Sequence, residues 1–311
     1  MLVVGPNLSI DQTVLIPRLR VGEIHRVPEI VRLAGGKGAN VARAARILGA
    51  APLLVGFIGG PLGDACAAYL AADGIAGELV RTASETRVCF SIADVATGQQ
   101  TEFYEAGAPV TAAECARLLA AAAARVVGQR WMVVTGSLPR GAPDDLYAQL
   151  VELAHAHGAR ALLDARGAAL ARGVAARPDV IKINRGELAE LAGTPIASVA
   201  EVARAAGACA VAPGGAVIVT DGAAGAVLVA DGGAWQVAPP PVAARSPVGS
   251  GDCAAAAIVA ALERGEDSLA AARWGVAAGT ANTLRAGAAR FSRAEAEQAL
   301  AGCAIARLDG T

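Results

Sequence analysis

The sequence predicts an α/β fold with a mostly parallel central sheet, helices on both of its faces and a small β-sheet lid. Three observations carry that expectation. Up to about residue 250, short apolar runs alternate with Ala-rich amphipathic stretches, the rhythm of strands followed by crossover helices. The runs are apolar throughout, as strands covered on both faces must be. Beyond residue 250 the pattern turns helical.

Leu2–Gly5, Leu53–Phe57, Trp131–Thr135, Ala161–Asp164, Val180–Ile183 and Val217–Thr220 read as buried strands. Helices are expected near 39–49, 63–72, 111–126, 143–157, 186–192 and 198–207, and then at 251–264, 268–285 and 292–303. Two regions break the rhythm. Residues 12–33 hold the extended pieces Thr13–Ile16 and Ile30–Leu33 around a charged turn. Residues 87–105 read as a hairpin, Arg87–Asp94 and Gln100–Glu105 about a turn at 96–99. Their alternation suits strands with one exposed face, hence a lid formed by about 12–33 and 87–105, although two unrelated surface hairpins fit the same pattern.

Composition narrows the function. A chain of 311 residues fits one large α/β domain, and 54% apolar with only 3% aromatic residues implies a core of Ala, Val, Leu and Ile. With 18% charged residues and a formal net charge of -1, nothing supports nucleic-acid binding, so an anionic substrate must be met by a few placed Arg or Lys. Six scattered cysteines without a C-x-x-C pair suggest reduced, mostly buried thiols. MLVVGPNLSID lacks the basic-then-apolar pattern of a signal peptide, and Gly or charge interrupts the apolar stretches before they reach membrane-spanning length. A cytoplasmic enzyme or binding protein is expected.

Four segments can carry chemistry. Gly249-Ser250-Gly251-Asp252 opens the apolar helix Ala254–Leu262. Small residues there let backbone N–H groups converge at a positive helix end, a nest for a transferring phosphoryl group. Asp252, in the first turn, can take a hydroxyl proton, though taken alone the segment reads first as a turn with an ordinary helix-start acid. Gly35-Gly36-Lys37-Gly38-Ala39-Asn40 also opens a helix. It is not a P-loop, because Val31 stands at the first glycine position and Gly38 follows the lysine. Its glycines allow close ligand approach and Asn40 offers both donor and acceptor, while a glycine turn capping a helix fits as well. In Lys182-Ile183-Asn184-Arg185-Gly186-Glu187, Asn184 and Glu187 can serve a Mg²⁺–phosphate group through water, or form a cap with its reciprocal acid; Lys182 can meet a phosphate. Thr220-Asp221-Gly222-Ala223-Ala224-Gly225 suits a nucleotide site or a hairpin turn.

In this order, together with Asn7–Asp11 and Gly136-Ser137-Leu138-Pro139, these segments resemble the PfkB (ribokinase-like) family of carbohydrate kinases across essentially the whole chain. The resemblance implies a ribokinase-like three-layer kinase domain over 1–311. It implies Asp252 as general base and Gly249–Asp252 as anion hole. Asp11, Gly35, Gly36 and Asn40 match positions that hold sugar hydroxyls, with Lys37 and Ser137 in the same substrate-binding segments. Asn184 and Glu187 match the magnesium and phosphate motif, Thr220, Gly222 and Gly225 the nucleotide turn. ATP and Mg²⁺ follow as phosphoryl donor and cofactor. The family's small sheet covers the sugar and often forms the dimer contact, so a homodimer through the lid is expected.

Within the family, Gly22–Arg26, Glu85–Arg87, Gln100–Glu102, Glu105–Gly107 and Val134–Pro139 look most like the kinases of phosphorylated hexoses: 1-phosphofructokinase, tagatose-6-phosphate kinase and the minor 6-phosphofructokinase. Arg26 and Arg87 both fall in the lid, where two guanidinium groups would clamp a sugar phosphate. Ile183 stands where Pro is usual, Asp221 where an apolar residue is usual, and Arg166 where a small polar residue is common. Arg166 can add a phosphate contact. A kinase of an unphosphorylated sugar or nucleoside, and a catalytically silent sugar- or nucleotide-binding regulator, are the alternatives. A Rossmann dehydrogenase is disfavoured, because no G-x-G-x-x-G follows the first strand of this chain.

Overall fold

The computed structural model describes residues 1–27, 30–107, 109–230 and 232–308. Of the expected lid segment 12–33, Pro28 and Glu29 lie outside the described residues.

In chain order the elements are β1 (Leu2–Asn7), β2 (Ser9–Ile16), β3 (Ile30–Gly35), α1 (Lys37–Ile47), β4 (Leu53–Ile58), α2 (Gly60–Ala72), β5 (Ala76–Arg81), β6 (Arg87–Asp94), β7 (Gln100–Tyr104), α3 (Ala112–Val126), β8 (Trp131–Thr135), α4 (Leu146–Ala156), β9 (Arg160–Asp164), α5 (Gly167–Ala175), β10 (Val180–Asn184), α6 (Arg185–Ala192), α7 (Val199–Gly207), β11 (Ala216–Thr220), β12 (Ala226–Ala230), β13 (Gly233–Ala238), α8 (Ser250–Glu263), α9 (Ser268–Thr283), α10 (Arg293–Gly302) and β14 (Ala304–Leu308). Among the described residues they build a 10-stranded sheet, ordered β14-β13-β12-β11-β10-β9-β8-β1-β4-β5, and a separate 4-stranded sheet, β3-β2-β6-β7. From β5 to β11 the large sheet is parallel; β12, β13 and β14 extend it antiparallel.

The apolar strands divide their side chains between two cores, because successive residues of a strand point to opposite faces. Val3, Val133 and Leu162 pack under α1, α8 and α9. Leu2, Val4, Met132, Val134 and Leu163 pack under α3, α4 and α5. This is the three-layer arrangement expected, with both sheet faces covered. The cysteines are free thiols, and Cys66, Cys89, Cys115 and Cys253 are buried.

Several elements exceed their expected bounds for local reasons. Helix α2 starts at Gly60, where Pro61 occupies the first turn and its missing N–H costs nothing. Strand β2 begins at Ser9 and β3 runs to Gly35, so Asp11 and Gly35 lie within the small sheet as cross-strand neighbours of Leu33 and Ser9. Strands β5, β13 and β14 and helix α5 were not anticipated.

Because β2 leaves directly from the C-terminal end of β1, the small sheet stands over the C-terminal ends of the parallel strands. That is where ligands bind in open α/β sheets. Helices α8 and α9 pack through alanine and glycine faces, with Ala256 and Ala278 fully buried between them and the sheet. Such close approach leaves no room for a larger side chain. Ala256→Leu is expected to destabilise the protein by about 1–3 kcal/mol through overpacking. Urea denaturation would measure this as a lower midpoint at unchanged slope.

Candidate active site

The sequence motifs meet where the parallel strands end. A cavity of 430 Å³ under the small sheet is lined by Asp11, Gly36, Lys37, Asn40, Arg87, Lys182, Asn184, Glu187, Thr220, Gly249, Gly251 and Asp252. A second cavity, of 410 Å³, shares Lys37, Arg87 and Glu187 with it and adds Asn7, Ser137 and Arg166. A third, of 670 Å³, shares Thr220 and Gly251 and extends between α8, α9 and the Pro239–Ala244 segment.

Gly249 has left-handed φ of 78° as the N-cap of α8 and closes against Ala288, so no side chain fits there. The amide of Ser250 donates to Pro247 O at 3.1 Å. Within the Gly249–Asp252 stretch the Ser250 amide is thus taken up by the turn, whereas the amides of Gly251 and Asp252 stand in the first turn of α8, where helix amides lack intrahelical partners. The Lys182 ammonium stands beside them, since a Cβ on Gly251 would approach its Nζ to 2.8 Å.

Asp252 is 6% exposed, and its Oδ2 accepts a hydrogen bond from Asn40 Nδ2 at 2.9 Å. Burial pushes its carboxyl up to about 6; Lys37, the Asn40 amide and Lys182 act against that shift, and the nearby Asp164 charge adds to it. A carboxyl so placed is ionised at neutral pH yet basic enough to accept a proton.

Asp164, fully buried at the end of β9, is a site residue that the sequence reading passed over. Its Oδ1 lies 3.1 Å from Lys37 Nζ and 3.5 Å from Lys182 Nζ, and its Oδ2 accepts from Thr135 Oγ1 at 3.2 Å. Burial alone would raise its pKa, but the two lysines and the hydroxyl outweigh it and hold the carboxyl below the usual range. The available signal was a lone acid ending an otherwise apolar strand.

The glycine turn shapes the surroundings of Asp11. Gly36, at φ 84°, places its Cα where a Cβ would lie 2.6 Å from Asn7 O, and a Cβ on Gly35 would collide with the Asp11 carboxylate. Gly35 thus acts by making room for Asp11. Ser9 Oγ donates to Asp11 Oδ1 at 2.7 Å; burial raises the Asp11 pKa against the opposing effects of Ser9, Arg87 and Arg43. Ser137 Oγ accepts from Asn7 Nδ2 at 2.9 Å in the second cavity.

Arg87 has no carboxylate partner among the described residues. Nη1 and Nη2 reach only the carbonyls of Glu105, at 3.3 Å, and Asn7, at 3.4 Å, and the buried Nε has no partner. Arg26, in contrast, lies exposed on the β2–β3 connection and lines none of the three cavities. Among the described residues Arg26 and Arg87 therefore share no cavity, and only Arg87 faces the site. Arg166, the N-cap of α5, lines the second cavity instead.

Asn184 and Glu187 form a reciprocal cap on α6: Asn184 Oδ1 accepts from Glu187 N at 2.9 Å, and Glu187 Oε2 from Asn184 N at 2.8 Å. Both face the cavity, and the cap leaves Glu187 Oε1 uncommitted. Among the described residues no cluster of three or more acids, His or Cys could hold a metal by itself. A single carboxylate with an amide oxygen nevertheless fits Mg²⁺, which keeps waters and takes its other ligands from phosphates. Gly222 and Gly225 line the third cavity with Thr220. Asp221, the unusual residue of that turn, pairs with Arg185 at 2.9 Å. The sequence reading missed the far wall of this cavity, Gly275, Val276, Gly279, Thr280 and the prolines 239–241; the i, i+4 glycines of α9 were its available mark.

The raised Asp252 pKa has a sign for stability. Its penalty is absent below the unfolded value of about 4 and complete above about 6, so ionised Asp252 weakens the ligand-free fold at neutral pH. Asp252→Asn is therefore expected to stabilise the protein at pH 8 by up to about 3 kcal/mol, an advantage that shrinks as pH falls from 6 toward 4. Thermal unfolding across that range would show it.

Comparison with known proteins agrees with this geometry. Residues 6–295 match the pfkB family carbohydrate kinase profile. A 1-phosphofructokinase of Rhodobacter capsulatus is 34% identical over 271 residues, covering 87% of this chain and 86% of that protein. Phosphofructokinase-2 of Escherichia coli, solved with substrates and products, superposes with a TM-score of 0.89 at 28% identity over 97% of this chain and 98% of that one. A possible 1-phosphofructokinase of Thermotoga maritima shares the fold, with a TM-score of 0.90 at 22% identity over 99% of each chain. The chain belongs to the pfkB family of carbohydrate kinases.

Proposed function

We propose that this protein transfers the γ-phosphoryl group of ATP to a primary hydroxyl of a hexose phosphate, with Asp252 as the base. The observation that carries the reading is the buried Asp252 carboxylate in the same first turn as the open Gly251 and Asp252 amides, on the cavity that Asp11, Asn40 and Arg87 line.

The sugar enters under the small sheet, which acts as a lid over 12–33 and 87–105 of a single kinase domain. Asp11 and Asn40 hold its hydroxyls, with the Gly35–Gly36 turn giving them access. Arg87 meets the distal phosphate; its unsatisfied Nε and long bonds to carbonyls leave it ready for an anion. Ser137 and Arg166, across the shared wall, extend that phosphate site. The adenine of ATP fits the largely apolar third cavity, entered past Thr220, Gly222 and Gly225. Asp252 takes the hydroxyl proton, the Gly251 and Asp252 amides and Lys182 stabilise the equatorial oxygens, and Lys37 adds positive charge to the same wall. Glu187 and Asn184 would hold Mg²⁺ through water, where it would offset phosphate charge. Closure of the lid excludes water from the transfer.

The relative in E. coli has a tetrameric inhibited form. Here Phe103 is exposed on the face of the small sheet opposite Asp11 and Tyr104, which supports a homodimer through the lid. No helix among the described residues is long and apolar enough to cross a membrane, and a kinase of this kind works in the cytoplasm with ATP and sugar phosphates.

Asp252→Asn is expected to lower kcat by about 10²–10⁴-fold while the protein remains folded. Retained turnover would remove the base assignment. In the native protein kcat/KM should fall with acid through an ionisation near 6, as Asp252 takes up a proton. Arg87→Ala should raise KM for fructose 1-phosphate, fructose 6-phosphate or tagatose 6-phosphate by about 10–100-fold, with KM for ATP unchanged. A neutral sugar turned over equally well by both proteins would shift the reading to a kinase of unphosphorylated sugars.

A further inference from the structure

Arg43, on α1, is 7% exposed and lines none of the three cavities. Each of its three guanidinium nitrogens nonetheless donates a hydrogen bond. Nε donates to Asp73 Oδ2 at 2.8 Å, Nη2 to the carbonyl of Ala34 at 2.7 Å, and Nη1 to Asn40 Oδ1 at 3.3 Å. Asn40 in turn donates from Nδ2 to Asp252 Oδ2 at 2.9 Å. A continuous chain runs from Asp73, at the end of α2, through Arg43 and Asn40 to the carboxylate at the start of α8.

The chemistry of the partners decides the direction of each bond. A guanidinium only donates, so the Asn40 oxygen must face it; an ionised carboxylate only accepts, so the Asn40 nitrogen must face Asp252. A free amide could flip and offer its oxygen to a protonated Asp252. Beside Arg43 that flip would set N–H against N–H inside the protein, where unsatisfied donors are costly.

We propose that Arg43 is a positioning residue for the base: it pins the Asn40 amide in the one orientation that presents N–H to Asp252, and so favours the proton-accepting carboxylate. This rests on the reading of Asp252 as base. Asn40 also faces the sugar, so the same pin sets which of its groups meets the hydroxyls. The contacts with Asp73 and Ala34 hold the guanidinium from behind, leaving one edge directed at Asn40.

The other charged or titratable groups facing Asp252 are Lys37 from α1, Lys182 from β10, Asp164 from β9 and its neighbour Cys253 on α8. The Arg43 charge also favours the ionised forms of Cys253 and of Asp11 in the same cavity; Arg43→Lys keeps that charge, so its pH profile reports on the pin. Two variants separate its parts. Arg43→Met removes charge and donors together. Arg43→Lys keeps the charge and the Asp73 pair, but one ammonium cannot serve Asp73, Ala34 and Asn40 at once. Both are expected to move the acidic limb of kcat/KM upward by about half a pH unit or more, because Asp252 loses an oriented donor. Values of kcat should fall by up to on the order of 100-fold with KM for ATP unchanged. If Arg43→Met does not fold, Arg43→Lys decides. A folded variant whose acidic limb coincides with that of the native enzyme overturns the proposal, since a purely structural or long-range charge role predicts that result for Arg43→Lys. Asp252→Asn measured alongside distinguishes the two levels. If it is inactive and the limb is unmoved, only the pin falls; if it stays active, the base reading falls and the pin with it.

Discussion

The site depends on one buried carboxylate holding two ammonium groups. Asp164 has no solvent exposure, and Lys37 and Lys182 reach it from α1 and β10. Alone, the Asp164 and Lys182 charges would be too costly to bury, and the two lysines would repel each other. Around Asp164 they become a compact cationic wall. One ammonium stands beside the α8 nest and the other at the boundary of two cavities. Asp252 then lies in a field that is neither plainly attractive nor repulsive. Burial and the Asp164 charge raise its pKa while the lysines lower it, and the balance falls where a carboxylate can serve as a base at neutral pH.

What could be read in the sequence follows from how local each signal is. Continuous apolar runs such as Trp131–Thr135 mark their strands because both faces are buried, and Gly249 through Asp252 mark a helix start through backbone needs that only small residues meet. Strand β2 was read short because Ser9 and Asp11 serve the site and interrupt the apolar alternation. Helix α5 was hidden by a glycine at its start and another that packs on Leu163. Asp164 carries only the weak mark of an acid ending an apolar strand, for a different reason. Its role exists only through lysines far away in sequence, and no local spacing encodes that meeting. Arg26 shows the converse: proximity in the lid segment suggests convergence with Arg87, but which side chain lines the cavities is set by tertiary geometry, and only Arg87 does.

The unusual composition also has a structural use. With few aromatics, helices α8 and α9 approach through alanine and glycine, and Gly275 would place a Cβ 2.9 Å from Ile258. Where α9 continues past that contact, Gly275 and Gly279 become one wall of the apolar cavity beside the anion nest. Close packing in the core and an open slot at its margin thus arise from the same small side chains.

The polar groups at the sheet's end also stand in register. Thr135 pairs with Asp164 across β8 and β9, and Asn184 with Thr220 across β10 and β11. Side chains along a strand alternate with a period of two, so losing or gaining one residue inside any of these strands would turn its terminal polar group toward the opposite face. The apolar positions behind them can exchange one aliphatic residue for another at modest cost. Tolerance to change is thus uneven along this chain: the spelling of these strands is negotiable, and their length is not.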